Sequence, residues 1–467
     1  MLRVLAVLAA LTVVGGVLRF HAASDPSAYQ SKDEQSYAMI ARGLSVTGNY
    51  GNPGMTDPVH WPPGAPLMFA LAYELKPQKR GGGVWDVPSA YPAQALVGTL
   101  TIPAAFLLAY LVAGWGAGLL AAAAVAFYPP LISASGDLLS EPLGALLVTS
   151  ALAATVWALR RPASWLAPIV AGLLLAATIL TRADLALVPA IALLVVAIAA
   201  WRRASSRPLA AAVRAAGPML VALLVLLTPW TVFASSKAGH VVPLSSGGGS
   251  NLWVGTYLPG NGSMFGAKRA LADEVRARNP GLAGKKWFQL RQADVIATVA
   301  ARHPDLTTDA ALQKEGMQNL RDYALGDPVS FAAMGARKVW RLWGGYTLGT
   351  YRNPRTPVTV FHLLLVAFGL VGLVAGFVAT RGAAALWLLG GVLLYVSAIN
   401  ALLVSEARHN LTVMPIVVAT GAAGVFLAAT RLRERRAASP EREVAARTGG
   451  VASGDVHGAP ASPTAPR

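Results

Sequence analysis

Long apolar stretches recur along the whole of this chain and constrain its fold more than any other feature. A helix needs about 20 mostly apolar residues to cross the hydrocarbon core of a bilayer, and ten stretches approach that length. They cover residues 4–20, 88–112, 114–129, 139–159, 165–180, 185–201, 209–233, 358–378, 383–404 and 411–430. The sequence therefore predicts an all-α polytopic membrane protein with about ten transmembrane helices.

The composition excludes several other classes of protein. Of the 467 residues, 55% are hydrophobic and 13% are charged, whereas soluble domains carry about 25% charged residues. A soluble enzyme, a disordered protein and a coiled coil are therefore ruled out. The chain has no cysteine, which also rules out a disulfide framework, a zinc–thiolate site and a thiol nucleophile.

The charge balance predicts the orientation of the chain. The net charge of +17 comes from 39 Lys and Arg residues against 22 Asp and Glu residues. In a soluble protein this excess would suggest nucleic acid, but in a membrane protein cytoplasmic loops are enriched in Lys and Arg. Ten spans bring the arginine-rich joints to one side, which we predict to be the cytoplasm, and no nucleic-acid partner is expected. These arginines are Arg160, Arg161, Arg202, Arg203, Arg207, Arg214, Arg381, Arg431, Arg433, Arg435 and Arg436.

The spans and joints predict four segments. They are an N-terminal transmembrane module over 1–233 with an external catalytic loop over 21–87, an external domain over 234–357, C-terminal transmembrane helices over 358–430, and a disordered cytoplasmic tail over 431–467. The first stretch has an alternative interpretation as a cleaved signal peptide, because Arg3 precedes a short apolar run that ends near His21. The loop that follows is external in either case.

Polar residues cluster at the outer membrane face of this arrangement. Ionisable groups at a membrane boundary are costly unless they face a polar cavity, so a functional site is the first interpretation. The cytoplasmic joints hold almost no carboxylate, so the predicted chemistry lies outside. The outer residues are Asp33, Glu34, Asp57, His60, Asp137, Glu141, Arg182, Asp184, Glu406, Arg408 and His409.

Asp33 and Glu34 open a predicted surface helix that continues through Tyr37 and ends at Gly48. Ser31 and Glu34 have the spacing of a capping box, which is the structural explanation for Glu34. Helix capping by Ser31 and Glu34 does not account for the presence of Asp33. A carboxylate at this depth could deprotonate an acceptor hydroxyl or hold a cation.

The other candidates also have structural alternatives. Asp137 and Glu141 lie four residues apart on one helix face, but Glu141 could cap a helix that starts at Pro142. Arg182 suits a phosphate in bidentate geometry, but it could instead form a salt bridge to Asp184 or Asp137.

Two further pairs stand at predicted membrane boundaries. Arg408 and His409 lie at the entry to the last span, where Arg408 could simply extend its guanidinium toward water. His60 and Trp61 precede a short apolar helix, and the alternative for them is a proline-stiffened turn with an interfacial tryptophan.

Several short segments, in this order, resemble the GT-C superfamily of membrane glycosyltransferases. The family 39 type, kin to protein O-mannosyltransferases and aminoarabinose transferases of lipid A, is the best match. The segments are Asp33-Glu34-Gln35-Ser36-Tyr37, Trp61-Pro62-Pro63-Gly64-Ala65-Pro66, Ser140-Glu141-Pro142, Leu180-Thr181-Arg182, Thr228-Pro229-Trp230 and Glu406-Ala407-Arg408-His409. Three places depart from the family pattern: Phe233-Ala234 replaces Arg-Asn, Ala183-Asp184 replaces a frequent proline, and His409 replaces a tyrosine.

The resemblance implies an inverting transfer of a monosaccharide from a polyprenyl-phosphate donor. The acceptor would be an envelope lipid, glycan or protein at the outer face of the cell membrane. Asp33 is the predicted general base and Glu34 its support. The predicted substrate-binding residues are Tyr37, His60, Trp61, Asp137, Glu141, Arg182, Arg408 and His409, of which the two arginines would hold the phosphate. No cofactor is assigned, and a divalent cation is left open.

Two other functions stay open at this point. A transporter or flippase for lipid-linked sugars would use the same carboxylates as coupling sites, but it predicts charges near the middle of the membrane. None of the ten stretches has a clear central charge, which favours the enzyme. A polymerase or ligase of lipid-linked glycans would have the same topology.

Overall fold

A computed structural model describes residues 1–25, 32–51, 59–75, 89–345 and 356–449, with side chains described as far as Arg436. The described residues form helices joined by short turns, without a strand. The all-helical membrane fold predicted from the sequence is confirmed. Ser31 lies outside the described residues, so the capping box of Ser31 and Glu34 stays a prediction. Asp57, one of the predicted outer residues, also lies outside them.

Among the described residues, eight helices are long and apolar enough to cross a membrane. Such a set describes a multi-pass membrane protein. They are α1 (Leu2–Ser24), α4 (Ala90–Ala113), α7 (Glu141–Arg160), α9 (Val188–Arg203, with the preceding turn Ala183–Leu185), α10 (Pro208–Ala238), α17 (Thr356–Thr380), α18 (Ala384–Leu402) and α19 (Met414–Gly449).

The other two predicted spans are shorter or broken, so the count of ten is approximate. The third consists of α5 (Trp115–Phe127) and α6 (Pro129–Ser133), and the chain bends by 59° between them. Tyr128 is extended there because the residue before a proline avoids the helical region. The fifth is α8 (Leu166–Ile179), whose 14 residues rise only about 21 Å.

Close backbone contacts and one buried arginine hold the bundle together. Helices α17 and α19 meet where a Cβ on Gly424 would lie only 1.6 Å from the carbonyl oxygen of Gly372, as small residues permit in membrane bundles. Arg19 of α1 is fully buried and donates to the carbonyls of Gly15, Val125 and Ala126 at 2.8–3.1 Å. Because Nη1 and Nη2 bind backbone carbonyls of both helices, Arg19 fixes α1 to α5.

The first loop contains two short helices, α2 (Lys32–Thr47) and α3 (Gly64–Leu75). Tyr37, Ile40 and Ala41 of α2 are buried, so this helix turns one apolar face toward the rest of the protein. Gly48 follows the helix with a left-handed φ of 68°, which glycine adopts without strain at a helix end.

The inter-span region, residues 239–345, has its own hydrophobic core around Trp253, Val295 and Leu312. Its position outside the membrane stays a prediction, as do the domain boundaries. Helix α10 extends five residues beyond the predicted span end, to Ala238, and α19 continues into the predicted tail. The helices of this region are α11 (Gly248–Thr256), α12 (Met264–Ala270), α13 (Ala272–Arg278), α14 (Gln292–Ala300), α15 (Thr308–Asn319) and α16 (Pro328–Trp343).

Lys338 of α16 joins the inter-span region to the membrane helices. Its side chain is fully buried, and Nζ donates to the carbonyls of Gly255, Ala401 and Leu402 at 2.8, 2.7 and 3.0 Å. The last two are at the C-terminal end of α18, where carbonyls have no partner within the helix. Ser405 Oγ donates to the Lys338 carbonyl at 3.0 Å, so α16 also fixes the segment after α18.

Replacement of this lysine should weaken the fold measurably. We expect Lys338→Met to destabilise the protein by about 2–4 kcal/mol, because three buried carbonyls lose their hydrogen-bond donor. Thermal unfolding of the purified protein in detergent measures the loss. Lys314→Met, an exposed lysine of the same region, is the matched control, and equal stability of the two variants would contradict the assignment.

Candidate functional site

Arg408 brings together acidic residues that are far apart in the sequence. It lies in the short helical turn Ala407–Thr412 that leads into α19. Its guanidinium donates to the carboxylate of Asp33, 375 positions away, and to Glu406 Oε2 at 2.7 Å. Glu141 Oε1 lies 3.8 Å from Arg408 Nε. Helices α2 and α7 and the entry to α19 therefore meet at one guanidinium.

Arg182 binds Glu141 from the opposite side. Its Nη1 lies 3.1 Å from Glu141 Oε1, and its Nε and Nη2 contact the carboxylate of Asp184 at 3.1 and 2.9 Å. Its Nη1 also donates to Ser140 Oγ at 3.2 Å. The salt bridge to Asp184, considered above as an alternative, is therefore present. Burial disfavours the charge, but Asp184 and Glu141 outweigh it and hold the pKa of Arg182 above its usual value.

Glu34 ties α2 to the segment before α7. Its side chain is buried, and Oε1 accepts a hydrogen bond from the Leu138 backbone at 3.0 Å. From the other side, Gln94 Nε2 donates to the carbonyls of Asp137 and Leu139 at 2.9 and 2.7 Å. Sequence reasoning missed Gln94, although a single amide inside an apolar span was a usable signal.

Asp137 is a buried carboxyl group without a hydrogen-bond partner among the described residues. It is 1% exposed, and neither carboxylate oxygen has a hydrogen-bond partner among the described residues. Burial, then Glu34 and Glu141, raise the pKa of Asp137 from its usual 3.8 to about 7. Asp137 is therefore a group that gains or loses a proton near neutral pH.

Helix α18 supplies two polar contacts that sequence reasoning missed. His409 Nδ1 lies 3.0 Å from Asn400 Oδ1, and Tyr395 donates its hydroxyl to the Asp184 carbonyl at 2.7 Å. Burial, followed by the charge of Arg182, lowers the pKa of His409, which favours the neutral imidazole. Asn400, like Gln94, is a lone amide within an apolar span.

Three aromatic rings form a row that starts beside the charged residues. Tyr37 and Trp61 have ring centroids 5.1 Å apart, and His60 and Trp61 are 4.8 Å apart. Burial and the nearby carboxylate of Glu141 raise the pKa of Tyr37. The row continues toward the inter-span region, because a Cβ on Gly247 would lie 2.6 Å from His60.

The predicted ionisable site residues other than Tyr37 and His60 therefore lie together with Asp184 and Glu406 in one assembly, which we call the charged cluster. It contains the carboxylates Asp33, Glu34, Asp137, Glu141, Asp184 and Glu406, the arginines Arg182 and Arg408, and His409. Carboxylates exceed arginines, so the cluster has room for additional positive charge or protons. In the part of the chain that the structure describes, no three Asp, Glu or His side chains are arranged as ligands of one metal ion.

Asp137 should make stability depend on pH with a defined sign. Between about pH 4 and 7 the folded state retains a proton that the unfolded state has lost, so stability falls as the pH rises. Asp137→Asn removes this pH dependence. We therefore expect the free energy of unfolding of the variant, relative to that of wild type, to rise by up to about 4 kcal/mol from pH 4 to pH 8. Thermal unfolding at several pH values measures the difference, and an offset that does not change with pH would contradict it.

Comparison with known proteins identifies the fold. No protein-family model and no curated protein matches the chain. Among solved structures, the archaeal oligosaccharyltransferase AglB from Archaeoglobus fulgidus, in complex with an inhibitory peptide and a dolichol-phosphate, aligns over 94% of this chain and 52% of its own, with 14% identity and a TM-score of 0.54. The A. fulgidus oligosaccharyltransferase in the apo form aligns over 93% and 52%, with 16% identity and a TM-score of 0.55.

A third structure is ArnT from Cupriavidus metallidurans bound to undecaprenyl phosphate, which aligns over 90% of this chain and 77% of its own, with 19% identity and a TM-score of 0.39. The chain spans about half the length of the oligosaccharyltransferase chains that it matches. Likeness at this level of identity concerns the fold and not the reaction. Over most of its length the chain therefore has the same fold as the A. fulgidus oligosaccharyltransferase structures.

Proposed function

We propose that this protein is an inverting glycosyltransferase that moves a monosaccharide from a polyprenyl-phosphate donor to an envelope lipid, glycan or protein. The observation that carries the proposal is the contact between Asp33 and Arg408. It pairs a group able to accept a proton with a group able to hold a phosphate. Both belong to a chain whose fold is that of membrane enzymes acting with lipid-linked sugars.

Asp33 is the proposed general base. In a direct displacement, the acceptor oxygen forms a bond to the anomeric carbon while the bond from that carbon to the phosphate oxygen breaks. The hydroxyl proton passes to the Asp33 carboxylate, and the polyprenyl phosphate leaves with the electron pair. Asp33 suits this role because its side chain is 27% exposed, whereas Glu34 is buried and occupied by the Leu138 backbone.

Arg408 is the better phosphate ligand of the two arginines. Its side chain is 21% exposed, and Nη1 has no partner among the described residues, whereas Arg182 is 8% exposed and bound by Asp184, Glu141 and Ser140. An arginine fork binds phosphate in bidentate geometry. Donor binding would draw Arg408 away from Asp33 and so free the carboxylate as a base. Arg182 would act through Glu141, and neutral His409 could donate a hydrogen bond.

The excess of carboxylates in the charged cluster raises the question of whether it holds a divalent cation. A divalent cation needs several oxygen ligands. Among the described residues the carboxylate oxygens of Asp137 lack a hydrogen-bond partner, but no three Asp, Glu or His side chains are grouped to hold such an ion. Such an ion, when bound, would help to neutralise the charge of the departing phosphate. The steps proposed here for Asp33 and Arg408 do not depend on it.

The row formed by Tyr37, Trp61 and His60 is the proposed binding site for the sugar ring. Aromatic faces cover apolar sugar faces, while the imidazole can bind a hydroxyl. We place the charged cluster at the outer face of the cell membrane, because the arginine-rich joints belong on the cytoplasmic side. The lipid-phosphate donor carries its own activation, so no nucleotide is needed there.

A transporter or flippase, or a glycan polymerase or ligase, is the second candidate. The two amides within spans, Gln94 and Asn400, are polar groups that a transport path could use. Both donate hydrogen bonds to neighbouring groups, Gln94 Nε2 to two backbone carbonyls and Asn400 Nδ2 to the Val396 carbonyl, and Asn400 Oδ1 contacts His409. Gln94 Oε1 has no partner among the described residues. The hydrogen bonds that the two amides already form therefore favour the transferase.

Removal of the base should stop transfer without loss of the fold. We expect Asp33→Asn to slow sugar transfer by at least ~100-fold, the usual scale for a lost general base. Glu34→Gln should be milder, because the amide oxygen can still accept from Leu138. The measurement is transfer from a purified polyprenyl-phosphate sugar by well-inserted protein, with exposed Asp305→Asn as control. Turnover like that of wild type in Asp33→Asn would rule out Asp33 and move the role to Asp137 or Glu141.

The two arginines should differ in their effect on donor binding. We expect Arg408→Ala to weaken donor binding by about 2–5 kcal/mol. Arg408→Lys should retain only part of the wild-type donor affinity, since an ammonium lacks the planar fork of a guanidinium. Arg182→Ala should also lower thermal stability, because Asp184 and Glu141 lose their partner. Donor affinity is measured with a labelled polyprenyl phosphate, and Arg321→Ala, an exposed site, is the control. Unchanged affinity in Arg408→Ala would refute the phosphate role.

A further inference from the structure

A cavity of about 560 Å³ opens on the inter-span region, outside the charged cluster. Its volume is in the range of small-molecule binding sites. Aromatic, amide, hydroxyl and guanidinium groups line it together. The lining residues that bear on ligand chemistry are Asn261, Ser263, Phe265, Arg269 and Trp287.

The aromatic wall of this cavity is exposed to solvent. Phe265 and Trp287 are in edge-to-face contact with centroids 4.6 Å apart, and Phe288 follows at 5.7 Å from Trp287. Phe265 is 66% exposed and Phe288 is 53% exposed. A group of exposed aromatic rings on a folded surface indicates a binding site.

The polar groups of the cavity have unused hydrogen-bonding capacity. Arg269 is exposed and has no ion-pair or hydrogen-bond partner among the described residues. Asn261 accepts from Arg337 Nε at 3.0 Å through its carbonyl oxygen, which leaves its amide N–H groups for a ligand. The positive φ of Asn261 and Gly262, 50° and 60°, turns the chain tightly at the cavity edge.

The charge around the cavity selects an anionic ligand. Residues 259–294 carry seven cationic and three anionic side chains, a net charge of +4. The three anionic residues are already paired, Asp273 with Arg276, Glu274 with Arg302 and Asp294 with Arg291. Lys285 and Lys286 directly precede Trp287, so uncompensated positive charge lies next to the aromatic wall.

We infer that this cavity binds an anionic glycan, with Trp287 and Phe265 against a sugar face and Arg269 on a carboxylate or phosphate substituent. A sugar ring has apolar C–H faces and hydroxyl groups at its edge, so rings and polar side chains together match it. A lipid surface would be met by rings that project from a convex face. Here the rings form the wall of a cavity that also contains an amide, a hydroxyl and a guanidinium.

Helix α16 connects the cavity to the charged cluster. Arg337 binds the cavity residue Asn261, and one helical turn further, Arg341 Nη1 donates to the Ser405 carbonyl at 3.4 Å. Ser405 directly precedes Glu406. The role of the bound glycan as the acceptor of the transfer rests on the proposed function, and the binding itself does not.

Direct binding tests the cavity without any donor. Full-length protein in detergent is titrated with fluorescent polygalacturonate oligosaccharides, and with neutral dextran oligosaccharides of the same length. We expect polygalacturonate to bind more tightly, and Trp287→Ala and Arg269→Gln each to weaken it by about three- to tenfold. Trp340→Ala and Arg321→Gln, an exposed tryptophan and arginine of the same region, are the controls and should bind as wild type does.

Three results would overturn the inference. The first is that wild type, Trp287→Ala and Arg269→Gln bind polygalacturonate equally well. The second is that dextran and polygalacturonate bind equally well. The third is that Trp287→Ala loses binding to phosphatidylglycerol vesicles but keeps glycan binding, which would assign the cavity to lipid. Consumption of the polyprenyl-phosphate sugar by wild type is measured in parallel. Donor consumption without glycan binding refutes the cavity alone, whereas glycan binding without donor consumption refutes the proposed transferase alone.

Discussion

The network of buried and half-buried ion pairs around Glu141 is the constraint on which the site depends. An arginine at a membrane boundary must find a carboxylate or a polar cavity, because an unpaired charge there is costly. Arg182 and Arg408 both satisfy this requirement at Glu141, 3.1 and 3.8 Å from the same oxygen. The ion pairs therefore fix the first loop, the start of α7, the end of α8 and the entry to α19 relative to one another, within a shared apolar core that is itself non-directional.

The inter-span region is attached to this network through hydrogen bonds from α16. Lys338 binds carbonyls of α11 and α18, Asn410 Nδ2 donates to the carbonyls of Leu342 and Gly345, and Trp343 Nε1 donates to Ser397. These bonds hold the segment from Leu403 to Val413, which carries Arg408. A change in the inter-span region can therefore reach the guanidinium through one helix, and a glycan bound at Trp287 would lie at the start of that path.

The excess of carboxylates over arginines gives the cluster its chemical character. Arg408 neutralises Asp33 and Glu406 at rest, so an incoming phosphate competes with the protein's own carboxylates for it. Asp137, with a pKa of about 7, can relieve the crowding of negative charge by holding a proton. Such arrangements are typical of functional sites, where charged groups are not fully compensated within the protein.

The sequence alone determined the all-helical membrane class, the approximate number of spans, the surface helix that carries Asp33 and the identity of most polar residues of the cluster. Length, hydropathy and charge are local properties, so a single chain reveals them. Only the tertiary structure decided the long-range pairings: Asp33 with Arg408, Arg182 with Glu141, and Glu34 with the Leu138 backbone. It also decided that Gln94 and Asn400 face the cluster, and that Asp137 has no hydrogen-bond partner among the described residues. These features depend on contacts between residues tens to hundreds of positions apart, and such contacts leave no periodic signal in the sequence.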